Sequence, residues 1–210
     1  MKIIGGDEME GLMFYWICWS FWAYLTFIAD KKNPYRLKLS AIILIVLLLS
    51  NFQLSIGEFE IQASGLFLLI AAYLFFGYEK RGAFLYFFLC SLIVSIAYVT
   101  FQLFEIFDPI WIIFKKEWMM GICFGYLAIL LQKTLKGRLL IIISGTMQGE
   151  ILYAYTLHRF TFPYTIGSLE YLDVCSLVAA LLAGWSALEN AGPFLQHHFH
   201  FFEKGRQKSS

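Results

Sequence analysis

Charged side chains are scarce in this chain: Asp, Glu, Lys and Arg make up 15% of its 210 residues, against 60% hydrophobic and 19% aromatic residues, and the net charge is only +1. Such a composition excludes an ordinary soluble domain, and so little sequence lies outside the apolar runs that no separate soluble catalytic or binding domain is expected. The basic residues are scattered through short loops and form no stripe, which argues against a nucleic-acid partner. Cysteine is sparse too. Cys18, Cys90, Cys123 and Cys175 all fall within apolar runs with no CxxC pairing, so they are expected to be free thiols packed as small hydrophobes. A basic leader is missing: MKIIGGDEMEG carries Asp7, Glu8 and Glu10 against Lys2 alone, the wrong charge for a signal peptide, so the first apolar run is expected to be retained.

Motifs for chemistry are equally absent. No two histidines lie within apolar runs, so bis-histidine haem is unsupported. His197, His198 and His200 have no cysteine near them and read as part of an interfacial tail, so no metal is expected. His158, beside Arg159 at the end of a run, reads as a headgroup contact. There is no HExxH, no serine in a GxSx setting with a facing intramembrane histidine, no aspartate pair of the presenilin type, and no lysine in the last run for a retinal Schiff base. The expectation is a protein without catalytic residues or cofactors, and not an enzyme.

What the chain does have is long apolar runs, read as seven transmembrane spans at 12–29, 39–56, 61–78, 83–104, 118–131, 137–160 and 169–188. The fifth is short, and residues 109–117 are read as an interfacial lead-in whose Lys115 and Lys116 snorkel. With alternating sides, Lys31, Lys32, Arg36, Lys38, Lys80, Arg81, Lys133, Lys136, Arg138, Lys204, Arg206 and Lys208 share one side, while Lys2, Lys115, Lys116 and Arg159 share the other. This is 12 of the 16 basic residues. The positive-inside rule then puts the N-terminus outside and the C-terminus inside. The predicted fold is an all-α polytopic bundle. Residues 1–192 form the membrane domain and 193–210 a cytoplasmic tail, in which Phe194, Leu195, Phe201 and Phe202 mark a partly interfacial helix.

Polar residues single out the sixth span. Glu150 lies twelve residues from Arg138 and nine from Arg159, roughly 18 Å and 13 Å along a helix, too far to snorkel easily to either end. An acid so placed needs protein around it and is often functional. The outer half of the bundle also holds Asn51, Gln102 and Asp173, and Gln148 lies almost opposite Glu150 on the sixth span. The candidate ligand-binding set is therefore Glu150, Asp173, Gln148, Asn51 and Gln102, lining a polar cavity open to the outside. The duller reading is that Glu150 fixes helix packing and Asp173 packs or caps a helix. Gly145 and Gly149 form a groove, and Ser176, Ala180 and Gly184 form a small-residue face on the seventh span, which is expected to pack into that groove.

The opening LMFYWICWSFWAYLTFIADKKNPYRLKLSAIILIVLLLSN has an aromatic first span, a basic KKNPYRLKLS loop and an aliphatic second span. It resembles the YphA-type small integral membrane proteins of endospore-forming Gram-positive bacteria, and the resemblance in length and span pattern covers most of the chain. It implies the bacterial inner (plasma) membrane and an envelope or sporulation context, and supplies no catalytic residues. The leading expectation is a structural or interaction role in the envelope, with the bilayer and another membrane protein or a second copy as partners. The competing expectation is a binding protein or transporter for a small solute or ion, centred on Glu150.

Overall fold

A computed structural model describes residues 10–31, 35–77, 81–108, 110, 113 and 115–207, without the side chains of residues 35, 81 and 192–207. The acidic Asp7 and Glu8 and the tail side chains from Phe194 to Phe202, its three histidines included, lie outside what is described. Among the described residues the chain is mostly helical, with seven helices: α1 (Leu12–Ala23), α2 (Tyr35–Leu49), α3 (Ala63–Gly77), α4 (Arg81–Phe107), α5 (Lys116–Leu131), α6 (Leu135–His158) and α7 (Leu169–Gln207). Their positions follow the apolar runs closely. Two are long and apolar enough by themselves to cross a membrane, Gly82–Phe107 with mean hydropathy 2.2 and Leu169–Ala191 with 1.6. α6 is diluted by its polar stretch from Ser144 to Glu150. The helical backbone continues through Gly192 and Pro193 to Gln207.

Two local features depart from the sequence reading. The second and third spans are expected at 39–56 and 61–78, but α2 stops at Leu49 and a β-hairpin intervenes, β1 (Gln53–Ile56) pairing antiparallel with β2 (Phe59–Gln62). The loop is Gly57-Glu58, and Gly57 adopts φ 65°, the left-handed conformation that a tight hairpin requires of its first loop residue. A third strand, β3 (Thr165–Ile166), lies parallel to β2. The other departure is that α1 ends in a π-helical segment, Tyr24–Ile28. Arg36 turns back to it and donates to the carbonyls of Leu25 at 2.6 Å and Thr26 at 2.7 Å, taking up acceptors at a helix end.

Connections collect at two poles. At one, the β2–β3 pairing joins the α2–α3 and α6–α7 connections, and Glu58 meets His158 at 2.8 Å, which binds the histidine to the hairpin instead of a headgroup. Lys116 joins Glu105 to Glu170 at the same pole. At the other pole lie Arg36 with the end of α1, Tyr86 with Leu131, and Arg138 with Gln132 and Glu189. Odd-numbered helices thus start at the first pole and even-numbered helices end there. α6 packs against α3, α4, α5 and α7, and its inward side chains Ile141, Ile142, Met147 and Glu150 are buried.

The expected α6–α7 groove pairing is corrected. Gly145 and Gly149 face α4: a methyl at Gly145 would sit 2.6 Å from the Ser91 carbonyl oxygen, and one at Gly149 2.8 Å from Tyr98 Cδ1. α7 packs mainly on α5 and α1. There Gly121 of α5 gives room to Leu177, while Gly184 meets nothing within 4 Å. A stripe of small residues permits close approach but does not name the helix that approaches.

Candidate functional site

The site is built around Glu150, whose side chain is fully enclosed. Its Oε1 accepts hydrogen bonds from the Tyr98 hydroxyl of α4 and, at 2.7 Å, from the Tyr164 hydroxyl of the α6–α7 connection. Its Oε2 accepts from the Gly167 backbone N–H at 3.0 Å. Gly167 reaches that position with φ 73°, a conformation that glycine adopts at little steric cost, and Ile166 beside it is anchored by pairing with Ile61 of the hairpin. One carboxylate therefore ties α4, α6 and the β3 connection together. Burial, followed by the charge of Glu150, pushes the Tyr164 hydroxyl well above the ordinary tyrosine range, so it remains a proton donor at any physiological pH.

Next to Glu150 runs a narrow cleft with an empty volume of about 180 Å³, open mouth included, and too tight for a water molecule. Its lining includes Tyr98 and Gln102 of α4, Lys116 of α5, and Glu170 and Tyr171 of α7. Lys116 Nζ lies 2.6 Å from Glu105 Oε2 and 2.8 Å from Glu170 Oε1. The sequence reading had Lys116 snorkelling towards headgroups. It is instead drawn inward, because two carboxylates from α4 and α7 flank it and a paired cation tolerates burial better than a lone one.

The five candidate ligand residues do not converge. Glu150 and Gln102 share the cleft, where Gln102 Nε2 donates to the Tyr98 hydroxyl oxygen at 3.1 Å. Gln148 lies on another face of α6, donating to Tyr73 Oη at 2.5 Å and Ser91 Oγ at 3.4 Å. Asn51, exposed below the hairpin, accepts from the Tyr15 hydroxyl at 3.3 Å. Asp173 serves α1: its two oxygens accept from the backbone N–H groups of Gly11 and Phe14, each at 2.7 Å. No side chain of its own caps α1, so α7 supplies the N-cap across the fold. Asp173→Ala is expected to lower stability by about 1–2 kcal/mol, with Asp173→Asn in between. Equal thermal melting of wild type and Asp173→Ala would refute this role. Of the predicted small-residue face, Ser176 is buried and donates to the Asp173 carbonyl at 2.9 Å, Ala180 is half-buried and Gly184 exposed.

Of the residues that complete the site, Tyr98, Tyr164, Gly167, Glu105 and Glu170 are not singled out by the sequence, and Lys116 is marked there only as an interfacial lysine. Tyrosines in an aromatic-rich membrane sequence carry no mark of their role. The hairpin did leave one: Gln53-Leu54-Ser55-Ile56 and Phe59-Glu60-Ile61-Gln62 alternate polar and apolar residues around a two-residue glycine loop.

The model of the YphA-like integral membrane proteins matches residues 10–208. A protein of Bacillus subtilis (strain 168), described as uncharacterized protein YphA, is 28% identical over 202 residues, covering 96% of this chain and 100% of its own. No solved structure matches the chain.

Proposed function

Because the chain belongs to the YphA-like integral membrane protein family, we propose that it is a seven-span protein of the bacterial plasma membrane, N-terminus outside and C-terminus inside. We further propose that it serves the cell envelope by helix-mediated assembly or interaction and not by catalysis. The observation that carries this reading is the enclosure of Glu150: three protein donors from different elements reach its carboxylate, and the adjoining cleft is too tight for water. An acid held this way welds helices to their outer cap. The alternating poles of the seven helices fit alternate crossings, and the pole bearing Arg36, Lys38, Lys133, Lys136 and Arg138 is the one the positive-inside rule assigns to the cytoplasm. α2 and α3 have 15 residues each, about 22 Å of helix. Their hairpin then belongs at the outer interface, where its backbone edge meets water.

Two measurements test this. In a variant without the native cysteines, Glu58→Cys is expected to react with a membrane-impermeant maleimide on intact cells, and Lys133→Cys only after permeabilisation. Labelling of both from outside would overturn the orientation. Purified protein in nanodiscs is expected to show no thermal stabilisation by a panel of small solutes and inorganic cations. A saturable rise in melting temperature that Glu150→Gln abolishes while still folding would replace assembly with solute or ion binding as the function.

A further inference from the structure

The hydrogen bonds around Glu150 leave one acceptor over. Gln102 is 4% exposed and lines the cleft, and its Oε1 has no hydrogen-bond partner. Its Nε2 donates to Tyr98, which donates in turn to Glu150. The array therefore runs in one direction, from amide to phenol to carboxylate, the direction that suits an ionised acid at its end. A buried amide oxygen without a donor is destabilising and unusual in a folded protein.

We propose that Glu150 is a proton-binding site served from the outer face, and that Tyr98 and Gln102 accept the proton by reversing the direction of their hydrogen bonds. A proton from the outer aqueous phase forms one O–H bond on Glu150 Oε1, and no other covalent bond changes. The new hydroxyl needs an acceptor. Tyr98 provides it by turning its own hydrogen towards Gln102, whose amide rotates by half a turn to present Oε1. The reversed array runs from carboxylic acid to phenol to amide oxygen, and the acceptor left idle in the ionised state is the one the protonated state uses.

The surroundings favour a proton over other ligands. The cleft is too tight for water, and a proton needs no added room. Lys116 of α5 and Glu170 of α7 line the cleft, and Glu105 of α4 pairs with Lys116 beside it. With Glu150 ionised that makes three acids against one base, an excess that protonation reduces by one. The remaining titratable neighbours are Tyr164 in the connection, Tyr153 on α6, and Tyr171 with Cys175 on α7. Tyr171 and Cys175 are both in contact with Thr146, and none of these four adds a positive charge. Glu170 in the cleft lining and Glu105, which shares Lys116 with it, are partly exposed, which gives protons an entry.

The outer source of the proton rests on the orientation proposed above; the proton site itself does not. Infrared difference spectra of the full-length protein in nanodiscs, acid minus neutral, test the site. A carboxylic C=O band is expected to appear with acidification together with a tyrosine C–O change, and Glu150→Gln should abolish the band. Gln102→Leu removes the acceptor of the protonated array and should lower the midpoint of the band by about one pH unit or more. Persistence of the band in Glu150→Gln, or an unmoved midpoint in Gln102→Leu, overturns the proposal. Should Glu150→Gln fail to fold, Gln102→Leu alone decides. In sealed proteoliposomes with the N-terminus outside, the band should follow external pH. A band that follows only luminal pH would overturn the outer source and leave the proton site standing.

Discussion

Glu150→Leu is expected to be the most damaging single substitution in the chain. It leaves the Tyr98 hydroxyl, the Tyr164 hydroxyl and the Gly167 N–H without their acceptor in an enclosed place. Hydrogen bonds within membranes are often weak, and three at about 0.6 kcal/mol would sum to about 2 kcal/mol. The larger scale applies here, because the donors sit on different elements and Gly167 cannot rotate towards another partner. Three stranded donors at about 1–3 kcal/mol each suggest a loss on the order of 5 kcal/mol. At about 2–4 °C per kcal/mol for a chain of this size, melting should fall by roughly 10–20 °C, or folded protein should fail to accumulate. Glu150→Gln keeps shape and one acceptor but brings an N–H₂ against donors, so it should lose about half as much. Unchanged melting of Glu150→Leu, measured by tryptophan fluorescence in nanodiscs, would show that the acid does not hold the bundle.

Gly145→Ala should come second. The added methyl would lie 2.6 Å from the Ser91 carbonyl oxygen and 2.6 Å from Val94 Cβ, where ordinary contact begins at 3.4 Å. A carbonyl oxygen cannot swing aside as a side chain can, so α4 and α6 must separate. Overpacking of this kind costs about 1–3 kcal/mol. The upper end is expected, because α4 also carries Tyr98, and its withdrawal stretches the bond to Glu150. Gly184→Ala is the control. Nothing lies within 4 Å of that position, so the change should be neutral or gain up to about 1 kcal/mol from the higher helix propensity of alanine. Equal melting of Gly145→Ala and Gly184→Ala would mean that α4 and α6 do not approach as closely as the structure shows.

Much of the helical framework could be read along the chain. The starts of α1, α5 and α7 fall within a few residues of those of the apolar runs, since hydropathy and turn residues act locally. Where two local signals competed, expectation and structure differ: residues 50–56 and 61–62 adjoin two apolar runs and read as their ends, yet the alternation over 53–62 and Gly57 specify a hairpin. Glu150 was singled out because an acid in an apolar run stands out without any knowledge of its neighbours.

Its partners could not be read. Tyr98, Tyr164 and Gly167 lie 52, 14 and 17 positions from Glu150, and a helix face does not encode which other helix will cover it. For the same reason Gly145 and Gly149 announced a close approach, but only the packed chain assigned it to α4 and left Gly184 uncovered. Asp173 shows the division most clearly. Its chemistry as a capping acid is evident from its type, whereas the helix it caps begins 159 to 162 positions earlier. Local physics settled which segments become helices and which polar groups would need shelter. Chain folding in three dimensions decided who shelters whom, because hydrogen bonds and van der Waals contacts depend on distance in space and not on distance along the sequence.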